Sequence, residues 1–489
     1  MGLDRVWIRE TIERLRLEWR VPGTAVGIVH EGETILNEGF GLRDVAKGLP
    51  VTPETLFAVG STTKAFVATA LGILVDEGRL AWDTPVREYL PNFKLHDAFA
   101  TERMTPRDLL THRSGLPRHE KMWYNSPASR AELVQRLRYL QPAYDFRTVW
   151  HYQNMMFVTA GYLVEVITGQ TWENFTRERI LKPLGMKATN FSVDDSEKFH
   201  DAARPYLIRK GSDTPEEIPF YNLDNCGPAG SINSNLNDFL TWLHVNLNEG
   251  KYANGVIVKP ETLAEIHKPQ MVIHDPAYKK ITGEDFLTYA LGWFVGTYRG
   301  HTIVRHSGGI DGFITQFGFL PAKKTGVVIF SNLNETSLPG VLMYTLLDHL
   351  LGLEPRDWNG RLRELNNEFE DGQEKAHEAS WEARIKDTRP SHALADFVGV
   401  YEHPGYGLAQ IEWADEGKTR LQVRLNNMPS PLTHYHYDVF ELFNDLYEDN
   451  RYIKLNFFTA LDGTIGGFTA QLELTPGIEA IRFVRKVGA

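Results

Sequence analysis

The chain has 489 residues, of which 42% are hydrophobic and 24% charged, and its formal net charge is -11. This composition is typical of a globular protein with two to four domains, or one large domain and an appendage. The acidic balance argues against a nucleic-acid binder, which needs clustered Lys and Arg to contact phosphates. Cys226 is the only cysteine, so an intrachain disulfide is excluded, which fits a reducing compartment.

The N-terminal stretch, MGLDRVWIRETIERLRLEW, mixes charged and apolar residues and predicts an amphipathic helix. It has no signal-peptide core, and the longest apolar run, Ala65–Val75, is too short to cross a bilayer. We therefore expect a cytoplasmic protein with no membrane partner. Next, two apolar runs flank Glu31-Gly32-Glu33 and predict a β-hairpin.

Helices follow this hairpin along the chain. The apolar patterns predict them over Thr62–Glu77, Arg130–Leu140, Met155–Thr168 and Asn237–Asn248. Farther on, FITQFGFLPAKKTGVVIFSN predicts two strands around a Pro/Lys/Gly turn. Strands at both ends with helices between them predict an α+β domain over residues 1–355, in which helices flank one antiparallel sheet beside a helical region.

The last third of the chain has a different character. Residues 356–391 are charged and poor in apolar side chains, which predicts a linker that can be partly helical. Beyond it, RLQVRLNN, YIKLNFF and GFTAQLEL alternate apolar and polar residues and are separated by turn residues. This pattern predicts a small all-β domain, a barrel or a sandwich, over residues 392–489.

A Ser and a Lys stand three residues apart at the start of the most apolar predicted helix. Ser61 and Lys64 would share one helix face, and Gly60 permits a tight turn before them. A helix that is apolar all round is buried, so the Lys64 amine would be partly desolvated, which lowers its pKa and makes it a proton acceptor. A hydroxyl beside such an amine can act as a nucleophile. The alternative is an N-cap serine beside a lysine whose stem packs on the helix.

Two later segments complete a pattern of three motifs. Tyr152-Gln153-Asn154 precede another apolar helix, and His306-Ser307-Gly308 lie in a strand-like segment. With Ser61-Thr62-Thr63-Lys64 they resemble the ordered Ser-x-x-Lys, Tyr-x-Asn and Lys/His-Thr/Ser-Gly motifs of the serine β-lactamase and penicillin-binding-protein superfamily. The match is to its class C β-lactamase-like branch, which includes esterases, DD-peptidases and D-aminopeptidases. Between residues 5 and 350 the stretches LLTHRSGLP, LAWDTPVREYLP, RILKPLGM and GPAGSINSNLNDFLTWL also resemble this branch.

The resemblance implies catalytic roles for three of these side chains. Ser61 would be the acylated nucleophile. Lys64 and Tyr152 would remove its proton, and the assignment of the base stays open because their titrations would be coupled. Backbone N–H groups of Ser61 and Gly309 would form the oxyanion hole. The residues implied in substrate binding are Asn154, Ser307, Gly308, Gly309 and Trp123.

His306 opens the third motif where β-lactamases of this class have a Lys. A permanent cation there helps to hold a substrate carboxylate, and a His near neutral pH does so only partly. We count His306 among the catalytic side chains. Its presence favours the esterase and peptidase side of the branch over penicillins and cephalosporins.

The resemblance therefore predicts a serine hydrolase that acts through an acyl-enzyme on small esters, amides or short peptides, D-residues included. No cofactor is implied, and no metal is expected, because His434 and His436 share a strand face without a third ligand. The C-terminal domain resembles the lipocalin-like barrels of some relatives, which lie near the catalytic mouth or support oligomers, so a homo-oligomer stays open. The alternatives are a catalytically silent binding scaffold, a true class C-type β-lactamase and an acyltransferase.

Overall fold

The computed structural model describes residues 4–284, 286–444 and 452–486. The expected domain bounds at residues 1 and 489 therefore lie outside the described residues. Among the helices of the described ranges, none is long and apolar enough to span a membrane.

The chain divides into two compact units. The first, called here the sheet unit, comprises the residues up to Pro91, Arg103–Arg113 and Met155–Leu365. The second, called the barrel unit, comprises Asn92–Glu102, Ser114–Asn154 and the residues from Asn366 onward. The barrel unit thus contains chain from the middle of the sequence as well as its last third.

An antiparallel sheet lies at the centre of the sheet unit and has nine strands within the described residues. The expected hairpin is present, since Gly23–His30 pairs with Glu33–Asp44. Gly23–His30 also pairs with Thr325–Ser331, so distant segments close one sheet, as predicted. In spatial order the strands are Met271–Ile273, Leu287–Tyr289, Phe294–Tyr298, His301–Ile310, Phe313–Leu320, Thr325–Ser331, Gly23–His30, Glu33–Asp44 and Leu49–Pro50.

Helices cover both faces of this sheet because successive side chains of a strand point to opposite sides. Val26 belongs to a core cluster with buried residues of the helices Arg5–Glu18 and Leu338–Leu350. The next residue, Gly27, approaches the helix Leu236–Leu247, where an added Cβ would lie 2.9 Å from side-chain atoms of that helix. The predicted α+β arrangement is therefore confirmed.

Four of the longer helices lie close to positions predicted in the sequence analysis: Arg5–Glu18, Thr63–Asp76, Asn154–Thr168 and Leu236–Leu247. The helix predicted over Arg130–Leu140 ends earlier, at Arg136. Leu338–Leu350 and Trp358–Glu382 are further long helices. The shorter helices include Val86–Tyr89, Ala98–Arg103, Pro106–Leu109, Arg130–Arg136, Trp172–Thr176, Lys182–Leu184, Val193–Ser196, Gly227–Gly230, Pro260–Ile266, Pro276–Thr282 and Leu394–Phe397. Trp358–Glu382 occupies most of the charged segment predicted as a linker, so that segment is largely helical.

A closed antiparallel barrel forms in the last third of the chain. Its eight strands in the described residues are Gly399–His403, Gly407–Trp413, Leu421–Leu425, Met428–His436, Val439–Phe443, Tyr452–Thr459, Ile465–Ala470 and Ile481–Arg485. The first and last strands pair at Tyr401↔Arg485 and Glu402↔Val484, which closes the barrel. Alternate residues such as Ile411, Val423 and Phe457 are buried, as the alternating pattern requires. The predicted all-β domain is a barrel.

Candidate active site

The first motif forms a turn and the start of the most apolar helix. Gly60–Thr62 make a short 3-10 turn, and Thr63–Asp76 continue it as an α-helix. Gly60 has φ +50°, a left-handed conformation that glycine adopts without steric strain. The Lys64 amine donates a hydrogen bond to the Ser61 hydroxyl over 2.9 Å. The expectation that Ser61 and Lys64 share one face is confirmed.

Lys64 is fully buried, with 0% of its surface exposed, while Ser61 is half-buried. A buried ammonium costs several kcal/mol unless it is hydrogen-bonded. Here Nζ also donates to the Ala229 carbonyl over 2.7 Å and lies 5.3 Å from the centre of the Phe157 ring. The amine is therefore fixed beneath a hydroxyl that solvent can reach.

The third motif runs beside the first. In the strand His301–Ile310, pairing with Phe294–Tyr298 ends at Arg305, and pairing with Phe313–Leu320 continues on the other edge. Gly308 lies against the nucleophile turn: an added Cβ would sit 2.0 Å from the Val59 carbonyl oxygen and 2.8 Å from the Ser61 nitrogen. Only glycine fits at that position.

The Gly60 side of the turn is equally close to this strand. An added Cβ at Gly60 would lie 2.8 Å from the Gly309 nitrogen and 3.1 Å from the Gly308 carbonyl carbon. The backbones of the first and third motifs thus touch through three glycines. Ser307 belongs to the same segment and pairs with Gln316 on the far edge.

His306 differs from its expected state. Its Nδ1 is 2.6 Å from the Ser307 carbonyl oxygen, which can only accept, so Nδ1 carries the proton and Nε2 accepts from the Tyr289 hydroxyl over 2.9 Å. Burial, together with the charge of Lys64, lowers the pKa of His306 to about 3. The imidazole is therefore neutral at pH 7, and the partial positive charge expected from the sequence is absent because the ring is only 1% exposed.

The second motif lies at the end of the Ser114–Asn154 segment of the barrel unit. Gln153 Nε2 donates to the Pro117 carbonyl, and Asn154 Nδ2 donates to Glu120 Oε1 over 3.1 Å. The Tyr152 ring lies 5.2 Å from the guanidinium carbon of Arg118. Asn154 begins the helix Asn154–Thr168, and Phe157 of this helix is the ring that contacts Lys64.

Trp123, expected to contact the acyl group, lies just after a short 3-10 turn, Glu120–Met122. Its side chain is only 5% exposed, and its ring packs edge-on against Tyr124 at 5.9 Å between ring centres. Its contact with substrate stays a prediction. The described residues hold no group of three or more His, Cys, Asp or Glu side chains that could bind a metal ion.

Sequence reasoning missed three groups that hold these motifs. The Ala229 carbonyl binds Lys64, the Tyr289 hydroxyl binds His306, and the Glu120 carboxylate binds Asn154. Ala229 lies inside the quoted stretch GPAGSINSNLNDFLTWL, but a backbone carbonyl leaves no side-chain signal. Glu120 lies three residues after the end of the quoted LLTHRSGLP stretch, and this neighbourhood is the signal that could have indicated it.

Two family models match the chain. The model described as Beta-lactamase matches residues 8–351, and the Domain of unknown function (DUF3471) matches residues 383–485. The unguisins hydrolase ungD' of Aspergillus campestris is 32% identical over 430 residues, or 84% of this chain and 77% of the relative. The unguisins hydrolase ungD of Aspergillus violaceofuscus is 30% identical, covering 100% of this chain and 91% of the relative.

Solved structures show the same fold. An octameric penicillin-binding protein homologue from Pyrococcus abyssi has a TM-score of 0.63 at 23% identity and covers 99% of this chain and 100% of its own. The D-amino acid amidase from Ochrobactrum anthropi SV3, complexed with D-phenylalanine, has a TM-score of 0.60 at 22% identity and covers 71% and 99%. The chain therefore belongs to the beta-lactamase family, within the serine β-lactamase and penicillin-binding-protein superfamily.

Proposed function

We propose that this protein is a serine hydrolase that acts through an acyl-enzyme on small esters, amides or short peptides. One observation carries the proposal: the Lys64 amine is fully buried and donates over 2.9 Å to the half-buried Ser61 hydroxyl. A hydroxyl held by a buried amine is the arrangement that activates a serine nucleophile.

The proposed reaction has two steps. Ser61 Oγ attacks the substrate carbonyl, its proton passes to the neutral amine of Lys64 or to the phenolate of Tyr152, and the leaving alcohol or amine departs with that proton. Water then attacks the ester on Ser61 and releases the acid. Backbone N–H groups of Ser61 and Gly309 would stabilise the oxyanion, and one such donor is worth about 100- to 1000-fold in turnover. Asn154 would orient the acyl side of the substrate.

The state of His306 supports neutral substrates at the third motif. A neutral imidazole supplies no charge for the carboxylate that penicillins and cephalosporins carry. The D-amino acid amidase with the same fold supports amides as substrates, and the two hydrolases among the relatives support hydrolysis. Among the candidate substrates we therefore favour amides of amino acids, D-residues included, and short-chain esters. The octameric neighbour supports a homo-oligomer, which light scattering after gel filtration would test.

Hydrolysis of p-nitrophenyl butyrate tests the proposal. The parent chain should release p-nitrophenol in a burst followed by steady turnover, and Ser61→Ala should reduce the rate to background. Ser212→Ala, in a loop of the same unit, is the matched control and should keep the parent rate. Parent-level turnover by Ser61→Ala would contradict the proposal.

A substrate panel separates the remaining alternatives. A silent binding scaffold predicts background rates with every ester and amide. A true β-lactamase predicts nitrocefin turnover far above that of Ser61→Ala. An acyltransferase predicts ester or amide products when an alcohol or amine is added to the acyl-enzyme. Turnover of L- or D-amino-acid amides would support an amidase activity.

A further inference from the structure

A loop in the barrel unit, residues 117–127, is largely buried although it has no regular strand or long helix. The side chains of His119, Met122 and Trp123 are 1%, 0% and 5% exposed. His119 and Asn125 both have φ +49°, a left-handed conformation that residues other than glycine adopt at a cost. The surrounding structure must therefore hold this loop in place.

The barrel holds the loop through one of its hairpin turns. Asn426 joins the strands Leu421–Leu425 and Met428–His436, and its Nδ2 donates to the carbonyls of Lys121 and Tyr124 over 2.9 and 3.0 Å. The adjacent turn residue, Asn427, donates from its backbone and its side chain to the Asn125 carbonyl over 3.3 and 3.1 Å. A single turn thus binds three carbonyls of the loop.

A second part of the barrel unit fixes the beginning of the loop. The Glu473 carboxylate accepts from the His119 backbone N–H over 2.9 Å. The Tyr406 hydroxyl and His119 Nδ1 are 2.7 Å apart, and Tyr406 is fully buried. The other Glu473 oxygen accepts from the backbone and hydroxyl of Thr475, which fixes the carboxylate itself.

On its other side the loop binds the second motif. Pro117 accepts from Gln153, and Glu120 accepts from Asn154 over 3.1 Å. Arg118 pairs with Glu120 over 3.1 Å, and its guanidinium carbon lies 5.2 Å from the centre of the Tyr152 ring. Each residue of the motif therefore contacts one residue at the start of this loop: Pro117, Arg118 or Glu120.

We propose that the barrel is a positioning element for the reaction, and that Asn426 sets the second motif through the 117–127 loop. The inference rests on the proposed function, in which Tyr152 and Asn154 act on the substrate. Asn426 is a positioning residue, since its contacts are with loop carbonyls. A displacement of about 1 Å in a reacting group can reduce turnover about 100-fold, so a loosened loop should lower kcat more than KM.

The test uses Asn426→Gly in the full chain. Asn426 has φ +55°, so glycine keeps the backbone conformation and removes the two side-chain donors. The matched control is Asp415→Ala in the preceding barrel turn. There the carboxylate accepts hydrogen bonds from Thr419 and Arg420 of the same turn. The readouts are kcat and KM with p-nitrophenyl butyrate, and amide hydrogen exchange in peptides covering residues 117–127 and 150–154.

We expect Asn426→Gly to lower kcat about tenfold to 100-fold, to leave KM within about threefold, and to speed exchange in both segments. Asp415→Ala should change neither. Unchanged exchange, unchanged kcat, or an equal effect of Asp415→Ala would each overturn the inference. Exchange does not depend on the reaction, so this result is distinguishable from a failure of the proposed function, which a fully active Ser61→Ala variant would reveal.

Discussion

The sheet unit holds its part of the candidate site by close packing, whereas the barrel unit holds the second motif by hydrogen bonds. In the sheet unit, Lys64 is fully buried, and Gly308 touches the nucleophile turn with no space for a methyl group. In the barrel unit, Gln153 and Asn154 bind a loop that is itself bound by a barrel turn. Close-packed contacts tolerate little change, whereas one hydrogen bond contributes only about 1 kcal/mol to stability.

The two units should therefore respond differently to substitution. Changes in the sheet unit should reduce activity and stability together, because the site there is part of the core. Changes in the barrel unit should reduce activity with little loss of stability, because they displace a loop without opening a core. Substitutions in each unit, measured for activity and for the free energy of unfolding, test this contrast between the two units.

Lys64→Met should reduce turnover of p-nitrophenyl butyrate about 100- to 10,000-fold, the range for loss of a proton-transfer group. Met keeps the length of the side chain but leaves the Ala229 carbonyl without its Lys64 donor. Steady-state kinetics measure the effect, and Lys187→Met, an exposed lysine of the same unit, is the control. Turnover within tenfold of the parent would mean that Lys64 does not activate Ser61.

Gly308→Ala should impair both stability and activity. The added methyl would meet the Val59 carbonyl and the Ser61 nitrogen, and overpacking of this kind costs about 1–3 kcal/mol of the free energy of unfolding. The shifted strand should also lower kcat more than tenfold. Urea unfolding and ester hydrolysis measure the two effects. Gly340→Ala, whose Cβ would meet its nearest neighbour at 3.8 Å, should impair neither, and alanine in this helix is at least as stable as glycine.

Glu120→Ala tests the barrel side of the contrast. It removes the acceptor of Asn154 and the partner of Arg118, so kcat should fall about tenfold while the free energy of unfolding changes by about 1 kcal/mol or less. Glu416→Ala, exposed in the same unit, serves as the control. A loss of stability as large as that of Gly308→Ala would remove the distinction between the units.

Acid should destabilise the sheet unit through its buried histidines. Burial lowers the pKa of His267 to about 3, so between pH 6.5 and 3 the unfolded chain binds a proton that the folded chain does not. Stability is therefore highest above pH 6.5 and falls as the pH falls. Between pH 7 and 4.5, urea titrations should show that the free energy of unfolding falls by roughly 2 kcal/mol less in His267→Phe than in the parent. His274→Asn, an exposed control, should follow the parent.

Local patterns in the sequence predicted most of the fold. The 3.6-residue period placed the helix Asn154–Thr168 within one residue of its start, and alternation placed the strand Leu421–Leu425. The Ser-x-x-Lys spacing predicted that Ser61 and Lys64 meet, because residues three apart share a helix face. These features depend only on neighbours along the chain.

Features that depend on distant backbone atoms could not be predicted in this way. The protonation of His306 follows from its burial and from Tyr289 on another strand, so its residue type alone suggested the wrong charge state. The partner of Lys64 is a carbonyl at Ala229, which any residue would supply. The contact of Asn426 with the loop at Lys121 joins segments 305 positions apart, and no periodic pattern reports it.

Chemical labelling tests directly whether Ser61 is the nucleophile. The chain would be incubated with a fluorophosphonate, digested, and the modified residue located by mass spectrometry. We expect a single adduct on Ser61 in the parent chain, slower labelling in Lys64→Met, and no adduct at that site in Ser61→Ala. An adduct on a different residue, or an unlabelled parent chain that still hydrolyses p-nitrophenyl butyrate, would show that Ser61 is not the nucleophile.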